Sequence, residues 1–480
     1  MDGQTTIFDM LYPKYKITTP IRIIELFGGY GSQLMALKRL NANVEQWKLC
    51  EWAVKSIQAY KDIHCENDNT DYSKDLTVEQ IKEYLFNKGI SANYNEPMTQ
   101  QQINRLNEKQ VRTIYNNIKA THNLVNIQQV KGEDLCIKDT DKFTYLLTYS
   151  FPCQDLSLSG KRLGMSDTST RSGMLWEVER ILQECKDLGT LPQVLLMENV
   201  PQVKSNDPLA WEKWLSRLEE LGYKNYHQDL IATDYGIPQT RNRCFMISIL
   251  GDYNYVFPKP IPLKLKLKDM LEDNVDEKYY LSDKQIKDIQ SWNAYEKPLE
   301  NMEKVDKSNI SPTLTTRSGA YAAGMILIKN ATQKGYLEAY EGYGIDLTQP
   351  NSETRRGRVQ KNAIQTLTTQ NNLGVCVNDK PRVLGGIGEK DSNNNTQWKQ
   401  QNRVYDNNVG IAITTCFNPN YIDNNLRIRK LTPRECFRLM GVKDEDFDKV
   451  AKNQSDSSLY HLAGDSIVVD VIQEILKELI

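Results

Sequence analysis

The chain of 480 residues is long enough for two or three domains, and 39% hydrophobic and 25% charged residues describe an ordinary globular protein rather than a disordered or fibrous one. A net charge of −2 supplies no global basic field, so any surface for a polyanion has to be local. Nine cysteines and four histidines are scattered with no CxxC pair, which argues against a metal site and for a reduced, cytoplasmic setting. No signal peptide or long apolar span points to a membrane.

In chain order, Ile21 to Phe27 has strand composition and the turn Gly28-Gly29-Tyr30-Gly31 breaks it. Ser32 is expected to cap a helix carrying Leu34, Leu37 and Leu40. Strand, glycine turn and helix open a doubly wound α/β unit, and such glycines let backbone amides approach a ligand, although a tight structural turn needs them as well. A second short strand, from Trp47, ends in Glu51 and Trp52. An acid about 20 residues beyond the glycines can hold ribose hydroxyls, and a tryptophan beside it can stack on a base or fill the core. Residues 66–130 read as a helical insertion: Thr77 with Gln80 and Thr99 with Gln102 are capping boxes, and Gly89 ends the first helix. Two helices packed on the core are expected there, with no chemical role, and contact of their lysines with a polyanion stays open. Asp134 and Leu135 end the next strand candidate, where an acceptor could meet a ligand's amino group.

The apolar run Tyr145 to Phe151 stops at Pro152, and Cys153 follows on the loop. Proline stiffens the point where a side chain must be aimed, and a thiolate is a strong nucleophile, yet the pair alone also reads as a buried thiol beside a turn. A helix is expected from Leu175 to Cys185, then an apolar strand from Val194 ending in Glu198 and Asn199. A poorly solvated carboxyl there would have a raised pKa and could donate a proton near neutrality. Arg241 and Arg243, spaced by two before the strand Cys244 to Ile249, would point the same way from an extended segment toward an anionic or carbonyl-rich target.

Five blocks, Phe27 to Gly31, Pro152-Cys153-Gln154, Glu198-Asn199-Val200, Gln239 to Arg243 and, further on, Arg429 to Leu439, stand in the order found in the cytosine-5 DNA methyltransferase family, which the chain resembles. Tyr460 to Val468 resembles the family's last motif, with Asp465 where asparagine is usual. The resemblance implies a Rossmann-like S-adenosylmethionine domain and a smaller β-rich target-recognition domain. It implies Cys153 as nucleophile, Glu198 at cytosine N3, Arg243 at O2, and Arg241 organising a phosphate or the loop. The cofactor would lie against Phe27, Gly28, Gly29, Tyr30, Gly31, Glu51, Trp52, Asp134, Leu135, Pro152, Met174, Asp465, Ser466 and Ile467. Gln154, Ser157, Ser159 and Lys161 match the mobile loop that meets DNA after the cysteine.

Between Pro258 and about Asn425 the composition turns to Asn, Thr, Gln and Gly with short apolar runs that suggest hairpins. One pattern recurs three times, ending in Thr315-Thr316-Arg317, Thr368-Thr369 and Thr414-Thr415. These are expected at DNA, through phosphates or base edges, or as three similar hairpins of a β scaffold. The expected division is a catalytic domain over 1–258, a recognition domain over 259–430, a hinge over 431–459 and a returning helix over 460–480. The expected activity is methyl transfer to C5 of a flipped-out cytosine at a specific site in double-stranded DNA. The expected setting is a monomer in a bacterial or phage-infected cell, with a restriction endonuclease acting separately. A transfer-RNA cytosine methyltransferase and a DNA-binding regulator with secondary activity are the alternatives.

Overall fold

The computed structural model describes residues 12–152, 172–282, 325–349, 352, 354–370, 372–378, 383–386, 389–390, 396–397, 403–405 and 426–480. Cys153, Gln154, Ser157, Ser159, Lys161, Thr315, Thr316, Arg317, Thr414 and Thr415 lie outside the described residues. The chain divides into two units, one of residues 1–265, 366–370 and 436–480, the other of 266–365 and 371–435.

The first unit is built on six strands: β1 Ile21–Leu26, β2 Val44–Cys50, β3 Thr144–Tyr149, β4 Val194–Asn199, β5 Tyr223–Ile231 and β6 Asn242–Leu250. Their order is β2-β1-β3-β4-β6-β5, with β6 antiparallel to both neighbours and β1 to β4 parallel. Every residue of β3 and β4 is buried, as expected of strands covered on both faces. The helices α1 Ser32–Arg39 and α2 Val54–His64 follow β1 and β2, while α6 Leu175–Asp187 and α7 Pro208–Leu221 flank β4. Trp214 of α7 is fully buried, its ring 6.0 Å from that of Tyr149 on β3. Parallel strands present their C-terminal ends to one edge, and that edge is where such sheets bind ligands.

Three sequence expectations need correction. Ser32 is the first residue of α1 and does not cap it; Gly31, at φ 82, holds the cap position with no side-chain bond. Asp134 and Leu135 end no strand but close a 3-10 turn, Gly132–Leu135. The insertion forms α3 Val78–Lys88, α4 Gln100–Asn104 and α5 Glu108–Ala120, not two helices. Both expected capping boxes are made, but a third, Asn107 with Gln110, restarts the chain after α4. Ile81, Leu85, Val111 and Ile118 of these helices pack on Ile57 of α2.

The helix α8 Pro433–Leu439 begins in the second unit and passes into the first at Cys436, where α9 Asp444–Ala451, α10 Asp456–Asp465 and α11 Val469–Lys477 follow. The second unit is β-rich. Its four-stranded sheet joins β9 Gly344–Asp346, β10 Val359–Gln360, β11 Leu373–Asn378 and β16 Leu426–Lys430, and β7 Met325–Lys329 pairs with β8 Tyr336–Tyr340. Short pairs join β12 Val383–Gly386 to β15 Arg403–Tyr405 and β13 Glu389–Lys390 to β14 Thr396–Gln397. Arg358, which opens the second repeat, is fully buried and donates to the carbonyls of Thr348 (3.0 Å) and Gln349 (2.6 Å). That position of the repeat is scaffold. The Arg429 guanidinium forms a buried two-bond pair with Glu435, at 2.6 and 2.8 Å.

Candidate active site

A cavity of about 410 Å³ opens at the C-terminal ends of β1 to β4, and all its lining residues belong to the first unit. One end is the turn after β1. Phe27 sits there in a left-handed conformation, φ 57, and its amide donates to Cys50 O at 2.8 Å, tying the turn to β2. A Cβ on Gly31 would lie 2.5 Å from His64 Nε2 and would also need a positive φ, so only glycine fits. Glu51 closes this end: one carboxylate oxygen accepts from Gly29 N (3.1 Å) and the other from Ala53 N (2.8 Å). Burial pushes its carboxyl up to about 7, the amides oppose the rise, and Asp465 adds to it. Trp52 lines the cavity beside it.

The other end is made by the tips of β3 and β4. Asn199 Nδ2 donates to Phe151 O at 3.0 Å, which locks the residues before Cys153 to the end of β4. Phe151 and Pro152 line the cavity, and so does Glu198, which is 8% exposed. The nearest cation is Arg243, whose Nε lies 3.1 Å from Glu198 Oε1. Burial raises the Glu198 carboxyl, and the charges of Arg243 and then Arg241 pull against that rise. An acid in this balance can give or share a proton near neutrality while a cation waits beside it.

The two arginines do different work. Arg241 is buried, and its guanidinium donates to the carbonyls of Leu367 (3.2 Å), Gly464 (3.2 Å) and Ser466 (2.7 Å). Gln239 reinforces it, donating to Leu439 O at 2.7 Å and accepting from Leu367 N at 3.1 Å. The 366–370 segment thus packs on the end of α10, so tightly that a Cβ on Gly464 would stand 2.4 Å from the Thr368 carbonyl carbon. Thr368 Oγ1 meanwhile donates to Gln370 O at 3.0 Å.

A family model for C-5 cytosine-specific DNA methylases matches residues 86–480. The chain belongs to that family. Type II methyltransferase M2.ScrFI of Lactococcus lactis subsp. cremoris is 31% identical over 464 residues, covering 96% of this chain and 99% of its own length. Orphan methyltransferase M.SssI of Spiroplasma monobiae is 34% identical over 342 residues, covering 70% and 82%. Among solved structures, the S. pombe Dnmt2 methyltransferase aligns with a TM-score of 0.48 at 14% identity, covering 95% and 97%.

Within this DNA cytosine-5 methyltransferase, Phe27, Gly29, Glu51, Trp52, Pro152, Met174, Glu198, Arg241, Arg243, Asp465 and Ser466 share the cavity. Gly28, Tyr30, Gly31, Ile467, Asp134 and Leu135 are not in its lining. Tyr30 is buried and stacks on Phe437, with centroids 5.4 Å apart. Asp134 turns back to accept from Lys131 N at 2.8 Å, and Leu135 is buried with its carbonyl taken by Trp47 Nε1 at 2.9 Å. These two do not line the cavity, whereas Asn126, Ile127 and Gln128 do.

The insertion also borders the cavity: Tyr94, Asn95, Glu96 and Pro97, from the loop between α3 and α4, line it. Asn123 fixes this side to the sheet. Its side chain donates to Glu51 O (2.9 Å) and accepts from Glu51 N (3.0 Å) and Val125 N (2.9 Å). Arg180 of α6 holds the next stretch through Ile127 O (3.2 Å) and Val130 O (2.8 Å). Among the described residues no group of three or more His, Cys, Asp or Glu is placed to hold a metal, and no helix is long and apolar enough to cross a membrane.

Proposed function

We propose that the methyltransferase takes S-adenosylmethionine in this cavity and transfers its methyl to C5 of a cytosine flipped out of duplex DNA, with Cys153 as the nucleophile. The observation that carries this reading is the Glu198–Arg243 pair, 3.1 Å apart, in the same cavity as Glu51 and Trp52. The residues fit the cofactor. Each Glu51 oxygen already accepts one amide and keeps a second lone pair for a ribose hydroxyl. Trp52 offers an aromatic face to the adenine, and a volume of about 410 Å³ suits a nucleoside-sized ligand. When bound, the cofactor supplies an electrophilic methyl group.

The protein's part is to make cytosine C5 nucleophilic. A thiolate of Cys153 adding to C6 breaks the ring's aromaticity and pushes charge toward N3 and O2. Glu198 would protonate or hydrogen-bond N3, and Arg243 would stabilise charge at O2. After methyl transfer a base takes the C5 proton, and departure of the Cys153 thiolate restores the ring. Arg241 would act through the loop it holds. A stacked base has to leave the duplex for this chemistry, and the polar Ser157, Ser159 and Lys161 suit a loop that fills the gap. Thr315, Thr316, Arg317, Thr368, Thr369, Thr414 and Thr415 are proposed at DNA.

The names of the relatives, one type II and one orphan methyltransferase, support a role in restriction-modification or in genome protection without a partner nuclease. Radiolabelled methyl transfer from S-adenosylmethionine to duplex DNA tests the reading, with transfer RNA as the parallel substrate. We expect label in 5-methylcytosine of DNA, and bisulfite sequencing of DNA from expressing cells should show one sequence context. No labelled 5-methylcytosine in DNA, or label confined to transfer RNA, would overturn it.

A further inference from the structure

Asp465 is electrostatically out of place. It is the last residue of α10, where the negative end of the helix dipole repels a carboxylate. It faces a cavity that already holds Glu51, and each carboxyl disfavours the other's ionisation. Its side chain is 51% exposed because it opens into the cavity, yet the cavity walls displace enough water to push its carboxyl up. His461 and then Arg241 counter that push. Arg241 spends its guanidinium hydrogen bonds on three carbonyls, whereas the histidine approaches the carboxylate itself, close but without a hydrogen bond.

His461 lies one turn before Asp465 on α10, with Nε2 3.3 Å from Asp465 Oδ2. Its ring is not in the cavity lining; it stands behind the aspartate. Tyr94 holds it there, the two rings meeting edge to face with centroids 3.7 Å apart. Tyr94 reaches this point from the insertion, at a left-handed φ of 64, and is itself part of the cavity wall. Three separate features of the fold thus converge on one carboxylate: the helix end, the insertion loop and the cavity.

We propose that His461, braced by Tyr94, is a positioning residue that neutralises Asp465 and so sets the charge the cavity presents to its cofactor. This rests on the reading that the cavity receives S-adenosylmethionine. That cofactor carries a sulfonium and is a net cation, whereas its product S-adenosylhomocysteine has lost that charge and differs otherwise by one methyl. The ratio of their affinities therefore reads the cavity's charge and is insensitive to its shape.

The test is calorimetric titration of the intact protein with each compound separately, without DNA, in one buffer throughout. His461→Gln leaves Asp465 bare and should raise the preference for S-adenosylmethionine over S-adenosylhomocysteine by about fivefold, an effect consistent with one charge screened by an effective dielectric near 20. Tyr94→Ala should move the ratio the same way by less. The double variant His461→Gln with Asp465→Asn should return it to the wild-type value, since charge is balanced again. A misfolded variant would lose both ligands together, and a merely structural histidine would not be rescued by Asp465→Asn. An unmoved ratio in His461→Gln, or failure of the double variant to restore it, overturns the proposal. Binding of neither compound by the wild-type protein would instead overturn the cofactor reading beneath it.

Discussion

The two walls of the cavity are built in different ways. The wall at the strand ends, with Glu51, Pro152, Glu198 and Arg243, brings side chains whose charge matters. Their position is inherited from β1 to β4 and β6, which are mostly buried and in unbroken register apart from one shift between β1 and β2 at Ile23 and Ile24. The wall from residues 94–97 and 125–128 contains no strand and is tied down by a few contacts: single backbone bridges from Asn123 to Leu49 and from Ser91 to Ala53, and the side chains of Asn123 on Glu51 and Arg180 on Ile127 and Val130. A sheet edge can hold reacting groups to tenths of an ångström because many bonds share the load. A wall pinned by a few contacts can shape a ligand site, but each pin matters more.

That contrast predicts which substitutions strike chemistry and which strike binding. The largest effect is expected at Glu198: Glu198→Gln should lower the methyl-transfer rate by roughly 10²- to 10⁴-fold, the usual range for loss of a positioned acid, with S-adenosylhomocysteine affinity nearly unchanged. Single-turnover kinetics beside calorimetry will separate the two. On the other wall, Asn123→Ala removes three hydrogen bonds and should weaken S-adenosylhomocysteine binding by about tenfold, at roughly 1 kcal/mol for each bond with part recovered by water. Its single-turnover rate at saturating cofactor should stay within about threefold. An equal loss of rate in both variants would erase the distinction between the walls.

A smaller effect should appear in the pH dependence of stability. Glu25, buried beneath the glycine turn, accepts from Tyr60 Oη (2.5 Å) and Leu34 N (3.2 Å), and burial raises its carboxyl from 4.5 to about 7. Between those values the folded protein holds a proton that the unfolded chain has released. Stability from this source is complete below about pH 4.5 and is lost as pH rises through about 7. Glu51, raised in the same way, adds to the trend. Melting temperature should therefore fall between pH 5 and 7.5 more steeply in the wild type than in Glu25→Gln, and parallel slopes would contradict the assignment. The smallest effect is expected far from the cavity: Thr77→Ala breaks one capping box of the insertion and should cost about 1 kcal/mol in chemical unfolding, with no change in methyl transfer.

The same contrast explains what could be read from the residues alone. The strand-end wall is legible because each element carries its own signal: an apolar run, a glycine or proline that stops it, then a reactive side chain. Helix ends in the insertion are legible for a similar reason: the Thr77 and Thr99 hydroxyls take N-cap positions, and Gly89 takes a left-handed C-cap at φ 67. Asn107 was missed because Leu106 to Ile118 continues an apolar spacing through the break. The second wall has no such signal. Asn123 is an ordinary loop asparagine until the fold sets it against Glu51, and Val125 adopts a positive φ of 73 that no β-branched residue advertises. Asp134 has a local task that the sequence does not signal, since its carboxylate accepts from Lys131 N within its own turn. Arg241 and Arg243 share a motif but not a task, since one meets backbone carbonyls and the other a carboxylate.

The most direct test of the proposed chemistry is mass spectrometry of the protein after incubation with S-adenosylmethionine and a duplex carrying 5-fluorocytosine at the target site. Fluorine takes the place of the proton that must leave C5, so the enzyme should remain covalently joined to the methylated base. The predicted result is an adduct mapped to the peptide containing Cys153, absent from Cys153→Ser. Capture of the serine variant, or its methylation of ordinary DNA at the wild-type rate, would contradict a covalent thiolate mechanism.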